Sequence, residues 1–177
     1  MSNDPVRTVV LSGQMRLGFQ EYFVKRAARD NVTGVLFEGC DKAKPAPGVI
    51  EAINSAERVI VCPSNPLLSI GPILSVQAIK DALKRTRAYV VGASPIVGGK
   101  AVKGPADRIM SSLGLEASAY GVAKFYADFL DHIVIDRADA HLSARIERLG
   151  PRVTVMDTMM KSVENAVSLA AKLMDAK

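Results

Sequence analysis

The patterning of this chain predicts an α/β fold, a mostly parallel sheet preceded by a small antiparallel unit at the amino terminus. Three observations carry that reading. Short runs rich in Val and Ile, the mark of strands buried on both faces, recur at 58–62, 88–91, 133–135 and 153–155. Segments with helical apolar spacing separate these runs. Before residue 47 the rhythm differs, and short strand-like segments follow one another with no long helix between them.

Residues 6–12 read as a strand, and after Ser12-Gly13 the segment 14–25 begins with strand alternation and then carries Phe19, Tyr22 and Phe23. A third short strand is expected at 32–37. The antiparallel unit is therefore set at 1–46 and an α/β nucleotide-binding half-domain at 47–177. Residues 47–56 suit a short helix, and the strand 58–62 is closed by Pro63-Ser64-Asn65-Pro66. Apolar positions Ile70, Ile73, Leu74, Ala78, Ile79, Ala82 and Leu83 predict one helix over 69–85 with Ser69 as its N-cap. A strand at 88–91 leads into a glycine-rich loop over 94–104. Pro105 opens a helix that Gly114 stops. Further helices are expected at 120–130, at 138–149 before Gly150-Pro151, and from 161 to the end. Strands alternating with helices imply crossover connections, and such sheets bind ligands at the carboxyl ends of their strands.

With 177 residues the chain is long enough for one domain with a real core. There is no Trp and aromatics are 5%, so that core must be aliphatic. The net charge of +5 suits a phosphate-bearing ligand, and equally a mildly basic surface. The basic residues form no aromatic-flanked stripe, which leaves nucleic-acid binding unsupported. Cys40 and Cys62 lie in no metal-ligand spacing. The opening MSNDPVRT is polar, and the longest apolar runs fall short of the ~20 residues of a membrane span. A reduced, cytoplasmic protein is expected.

Two loops carry candidate chemistry. In the first, strand 58–62 delivers Ser64, Asn65, Pro66, Ser69, Ile70 and Gly71 to a sheet edge. Short polar side chains and the free amides of a helix amino terminus make a natural phosphate seat, and prolines 63, 66 and 72 stiffen it. A rigid capped turn accounts for the same residues. The second loop holds Ser94, Pro95, Gly98, Gly99, Lys100 and Lys103. Its glycines allow close approach of a ligand and its lysines could neutralise phosphate, although the spacing is not that of a Walker loop. A solvated loop is the plainer alternative. Both loops leave consecutive strands, which points to one shared crevice. His132 and His141 belong to no readable catalytic arrangement. The acids Asp128, Asp131, Asp136 and Asp139 suit a solvated face better than a metal site, and no metal ligands are assigned. The cluster Phe19 to Phe23 suits the core, or a flat aromatic ligand.

The string Pro63-Ser64-Asn65-Pro66 with Ser69-Ile70-Gly71-Pro72-Ile73-Leu74 resembles a signature of the 2-phospho-L-lactate transferases of coenzyme F-420 biosynthesis. Ser94-Pro95-Ile96-Val97-Gly98-Gly99-Lys100 with Val102-Lys103-Gly104-Pro105 resembles a second signature. Phe19-Gln20-Glu21-Tyr22-Phe23 and Gly121-Val122-Ala123 with Tyr126, Asp128, Leu130 and Asp131 match further along. The resemblance runs over nearly the whole chain but covers only the carboxy-terminal half of the longer family, whose amino-terminal half is absent here. It implies a Rossmann-like sheet and an enzyme that moves a phospholactyl or phosphoenolpyruvyl group from a guanosine-diphosphate-activated donor to a deazariboflavin acceptor, releasing GMP. It implies Mg2+ as cofactor, and as partner either the missing half or a second copy in a homo-oligomer. The first loop would hold the nucleotide and the second the adjoining phosphate or acceptor pocket, with catalytic residues unassigned. The alternative is a non-catalytic regulatory protein of the same superfamily that binds a nucleotide or nucleotide sugar.

Overall fold

A computed structural model describes residues 1–176. Strands β1 (Arg7–Ser12), β2 (Met15–Gly18) and β3 (Gly34–Glu38) form an antiparallel sheet in the order β2-β1-β3. The aromatic segment after β2 is a π-helical turn, Glu21–Lys25. It buries Tyr22 and turns Phe23 outward.

The second sheet is parallel throughout. Helix α1 (Val49–Ser55) precedes β4 (Arg58–Val61). A π-helical turn (Pro66–Ile70), α2 (Gly71–Leu74) and α3 (Gln77–Arg85) lead to β5 (Tyr89–Ala93). A two-stranded hairpin, β6 (Ile96–Val97) and β7 (Lys100–Ala101), comes next, followed by α4 (Ala106–Ser112) and α5 (Ala119–Tyr126). Then come β8 (His132–Asp136), a 3-10 helix (Arg137–Leu142), α6 (Ser143–Glu147), β9 (Arg152–Met156) and α7 (Val163–Asp175). The strand order is β4-β5-β8-β9.

The pleat divides this sheet's side chains between two packing layers. Val61, Val90, Ile133 and Ile135 pack with Ile79 and Leu83 of α3, Val122 of α5 and Ile146 of α6. The same cluster takes in Val10, Leu17 and Tyr22 from the first sheet and its following turn. On the other face Val91, Ala93 and Val134 pack with Leu169 and Leu173 of α7. Each fully buried aliphatic of this kind contributes ~1.5–3 kcal/mol. Among the described residues no helix is long and apolar enough to cross a membrane, and both cysteines are free thiols.

Three segments differ from the sequence expectation. The helix expected over 69–85 starts earlier and breaks in two. Asn65 is the cap, not Ser69, and extended backbone at Val76 separates α2 from α3. Part of the glycine-rich loop is the β6–β7 hairpin, because Gly98 and Gly99 both adopt positive φ (56° and 77°), as a tight two-residue turn requires. The segment 138–149 winds as a 3-10 helix before it becomes α-helical.

Candidate functional site

A cleft of about 590 Å³ opens where the carboxyl ends of β4, β5 and β9 meet, the expected position in an open parallel sheet. The first loop lines it with Pro63, Ser64, Asn65, Leu68 and Ser69, and the second with Ser94, Pro95, Val102, Lys103 and Gly104. The two loops thus share one crevice. Phe19 and Phe23 form a third wall, stacked at 5.4 Å between ring centroids with 22° between planes.

The fourth wall is Thr158, Met159, Met160 and Lys161, just beyond β9. No motif in the sequence marks it. Asp136, at the end of β8, fixes it by accepting bonds from the Thr158 amide at 2.9 Å and the Thr158 hydroxyl at 3.2 Å. Burial pushes the Asp136 carboxyl up, but bonds from Ala138 and Thr158 and the charge of Arg137 outweigh it and hold the group below its ordinary range. Asp136 therefore stays ionised and able to accept.

The local chemistry of the first loop differs from a bare helix terminus. Asn65 Oδ1 accepts from the amides of Leu67 and Leu68 at 2.9 and 3.0 Å. The amides of Ser69 and Ile70 bond the Asn65 carbonyl, and that of Gly71 bonds Pro66. The donors expected near Ile70 are thus already spent, and Pro66, Ile70 and Gly71 do not line the cleft. The groups left for a ligand are the Asn65 side-chain NH2 and the hydroxyls of Ser64 and Ser69.

In the second loop the Ser94 hydroxyl donates to the Ile96 carbonyl at 2.8 Å and accepts from the Ile96 amide at 3.1 Å, so it shapes the hairpin. Gly98 lies at the far tip, its amide 3.1 and 3.2 Å from the two carboxylate oxygens of buried Asp139. Burial raises the Asp139 carboxyl above its usual range, opposed by the Gly98 bond. Gly99 and Lys100 face a separate hollow with Asp30 and Arg108, where Lys100 lies 3.8 Å from Asp107. Lys103 and Lys161 are the cations of the cleft itself, and neither is in an ion pair among the described residues.

The other candidates lie elsewhere. His132 is buried in β8 and His141 is exposed on the 3-10 helix. Asp128 pairs with Lys84 at 2.7 Å and Lys80 at 3.6 Å. Asp131 accepts from the Val90 amide at 2.7 Å. Among the described residues no three His, Cys, Asp or Glu side chains group so as to hold a metal ion.

Comparison with known proteins identifies the lineage of this cleft. The family model for 2-phospho-L-lactate transferase CofD matches residues 1–174. The chain belongs to that family. It is 40% identical over 174 residues to the 2-phospho-L-lactate transferase of Methanothermobacter thermautotrophicus, covering 98% of this chain and 55% of that protein. It is 41% identical over 170 residues to the 2-phospho-L-lactate transferase of Methanosarcina barkeri, covering 96% of this chain and 54% of that one. The phosphoenolpyruvate transferase of Kitasatospora aureofaciens is 41% identical over 175 residues, with 96% and 54% covered. The chain thus spans about half the length of these relatives. Among solved structures, protein BH3568 of Bacillus halodurans, a member of the UPF0052 family, superposes with a TM-score of 0.64 at 16% identity. The match covers 98% of this chain and 60% of that one, and it shows a shared fold.

Proposed function

We propose that the cleft is the nucleotide and acceptor pocket of a cytoplasmic transferase of coenzyme F-420 biosynthesis, to which this chain contributes the carboxy-terminal half. The donor is a guanosine-diphosphate-activated lactate or enolpyruvate, and the acceptor is a deazariboflavin precursor. The acceptor's ribityl hydroxyl oxygen bonds to the phosphorus next to the organic acid as the bond from that phosphorus to GMP breaks. The hydroxyl proton leaves to solvent, and GMP departs. Negative charge on the phosphoryl oxygens makes positioning and electrostatic stabilisation the main catalytic terms.

The observation that carries this reading is the convergence of both signature loops on one cleft with two lysines, unpaired among the described residues, and a stacked aromatic wall. Lys103 and Lys161 match the charge of a diphosphate. The hydroxyls of Ser64 and Ser69 and the NH2 of Asn65 offer donors to phosphate or ribose, while Phe19 and Phe23 present a flat apolar face to an aromatic ring. The magnesium implied by family likeness finds no ligand set among the described residues. On this reading its ligands come from the portion of the relatives that this chain does not span, and no step is assigned to it here. Calorimetric titration of GDP tests the proposal. Lys103→Gln and Lys161→Gln should each weaken binding by roughly tenfold, the effect of losing a bond to a charged group. GDP binding that both variants leave unchanged would refute the assignment.

A further inference from the structure

The opposite end of the parallel sheet carries a second constellation, separate from the cleft. Strands β4, β5, β8 and β9 begin with Arg58, Tyr89, His132 and Arg152. The pleat sets all four side chains on the α7 face, and in register Arg58 pairs with Tyr89 and His132 with Arg152. The Tyr89 hydroxyl lies 3.3 Å from His132 Nδ1, and His132 Nε2 lies 2.9 Å from Thr154 Oγ1. This part-buried chain of bonds fixes the Tyr89 ring. Arg58 lies over that ring at 5.3 Å from its centroid.

A cavity of about 640 Å³ opens beside these residues, lined by Arg58, Tyr89, Asp131 and Arg152. Among the described residues Arg58 Nη1 is buried without a hydrogen-bond partner. Burial first, and then the charges of Arg152, Lys172 and Arg58, oppose protonation of His132. None of the three is in an ion pair among the described residues. Among the described residues Asp131 is the one carboxylate lining the cavity, and its Oδ2 already accepts from the Val90 amide. A buried donor without an acceptor is costly, and so is a group of cations with little compensation. An oxyanion in the cavity offsets that charge, and the planar guanidinium fork matches phosphate geometry.

We propose that this cavity is a second binding site, for a phosphate-class oxyanion, held by Arg58 and Arg152. It lies at the amino ends of the strands, whereas the cleft lies at their carboxyl ends, so its occupant takes no part in the transfer. The test titrates the chain with inorganic phosphate, and in parallel with acetate at matched ionic strength, while NMR follows the His132 imidazole. Phosphate should give a saturable response and raise the pH at which His132 protonates, because an added negative charge favours imidazolium. Arg58→Gln and Arg152→Gln should each weaken phosphate binding about tenfold, and Lys103→Gln in the cleft should leave it unchanged. Circular dichroism checks each fold, and if Arg58→Gln fails to fold, the exposed Arg152→Gln decides alone. Two results would overturn the proposal: an unsaturable response that acetate reproduces, and saturable phosphate binding that Arg152→Gln leaves intact.

Discussion

Removing the Asn65 side chain separates its two roles, as helix cap and as ligand donor. Its Oδ1 accepts from the amides of Leu67 and Leu68, in a part-buried turn where water replaces those bonds poorly. Losing an Asn cap costs ~0.5–2 kcal/mol, typically ~1. The two accepted bonds and the partial burial place Asn65→Ala at or above the typical value, about 1–2 kcal/mol. For a chain of this size each kcal/mol moves Tm by roughly 2–4 °C, so the melting point should fall by ~2–8 °C. Asn65→Asp keeps an oxygen at the cap beside a helix amino terminus, and should stay within ~0.5 kcal/mol of the parent. GDP affinity should follow a different order. The aspartate lacks the NH2 donor and places negative charge beside the diphosphate, so it should bind worse than the alanine variant. Thermal and urea denaturation followed by circular dichroism, with GDP titration of the same three proteins, make the test. If Asn65→Asp is as unstable as Asn65→Ala, the capping argument is wrong. If it is stable and binds GDP as the parent does, Asn65 does not face the diphosphate.

Other residues offer independent checks. A Cβ on Gly121 would lie 1.8 Å from the Glu116 carbonyl oxygen and 2.9 Å from its carbon; Gly121→Ala should therefore cost about 3 kcal/mol or more in urea denaturation, overpacking against backbone being hard to relieve. Among the described residues the Tyr126 hydroxyl is buried without a partner, and burial holds that phenol well above its ordinary range. Tyr126→Phe should thus be neutral or stabilise by up to ~1 kcal/mol, and a loss greater than that would expose a missed bond. Burial first, then Arg152, Lys172 and Arg58, hold the His132 pKa below its ordinary value. The folded state then binds fewer protons than the unfolded chain just below pH ~6.5, so stability is present above that pH and falls as pH drops toward the folded-state value. His132→Gln should remove that slope, measured as unfolding free energy at about pH 7.5 and 5.5. Helix α7 exposes Val163, Val167 and Met174 along one side (74%, 61% and 57%). Such a row commonly marks an interface, so sedimentation should show concentration-dependent association that Val167→Lys weakens, and a monodisperse monomer would count against it.

The strands of the parallel sheet were readable because burial on both faces demands β-branched runs, and Val59-Ile60-Val61, Val90-Val91 and Ile133-Val134-Ile135 each show one. The helix starts four residues before the cap that Ser69 suggests, because Ser69 and Asn65 are both capping types. Proline directly after Asn65 was the sharper signal, since it suits the first helical position. The hairpin is likewise signalled by Gly98-Gly99 directly after the β-branched pair Ile96-Val97. The cleft's two loops were visible because each leaves a buried strand with unusual polar, proline and glycine content. The wall from Thr158 to Lys161 was not visible: its place depends on Asp136, 22 residues earlier, and that contact exists only once β8 and β9 pair. The sorting of Lys103 into the cleft and Lys100 out of it depends in the same way on the hairpin, which sets Lys100 beside its turn at the start of β7 and brings the chain back to the cleft by Val102.

Mapping GDP onto the backbone amides by two-dimensional NMR tests the central claim most directly, because it reports where the nucleotide binds as well as whether it does. The cleft assignment predicts saturable shifts concentrated at Ser64, Asn65, Ser69, Lys103, Gly104, Thr158 and Lys161, with Gly98 and Lys100 unmoved. Shifts confined to Arg58, Tyr89 and Arg152, or no saturable shift at the two signature loops, would contradict it.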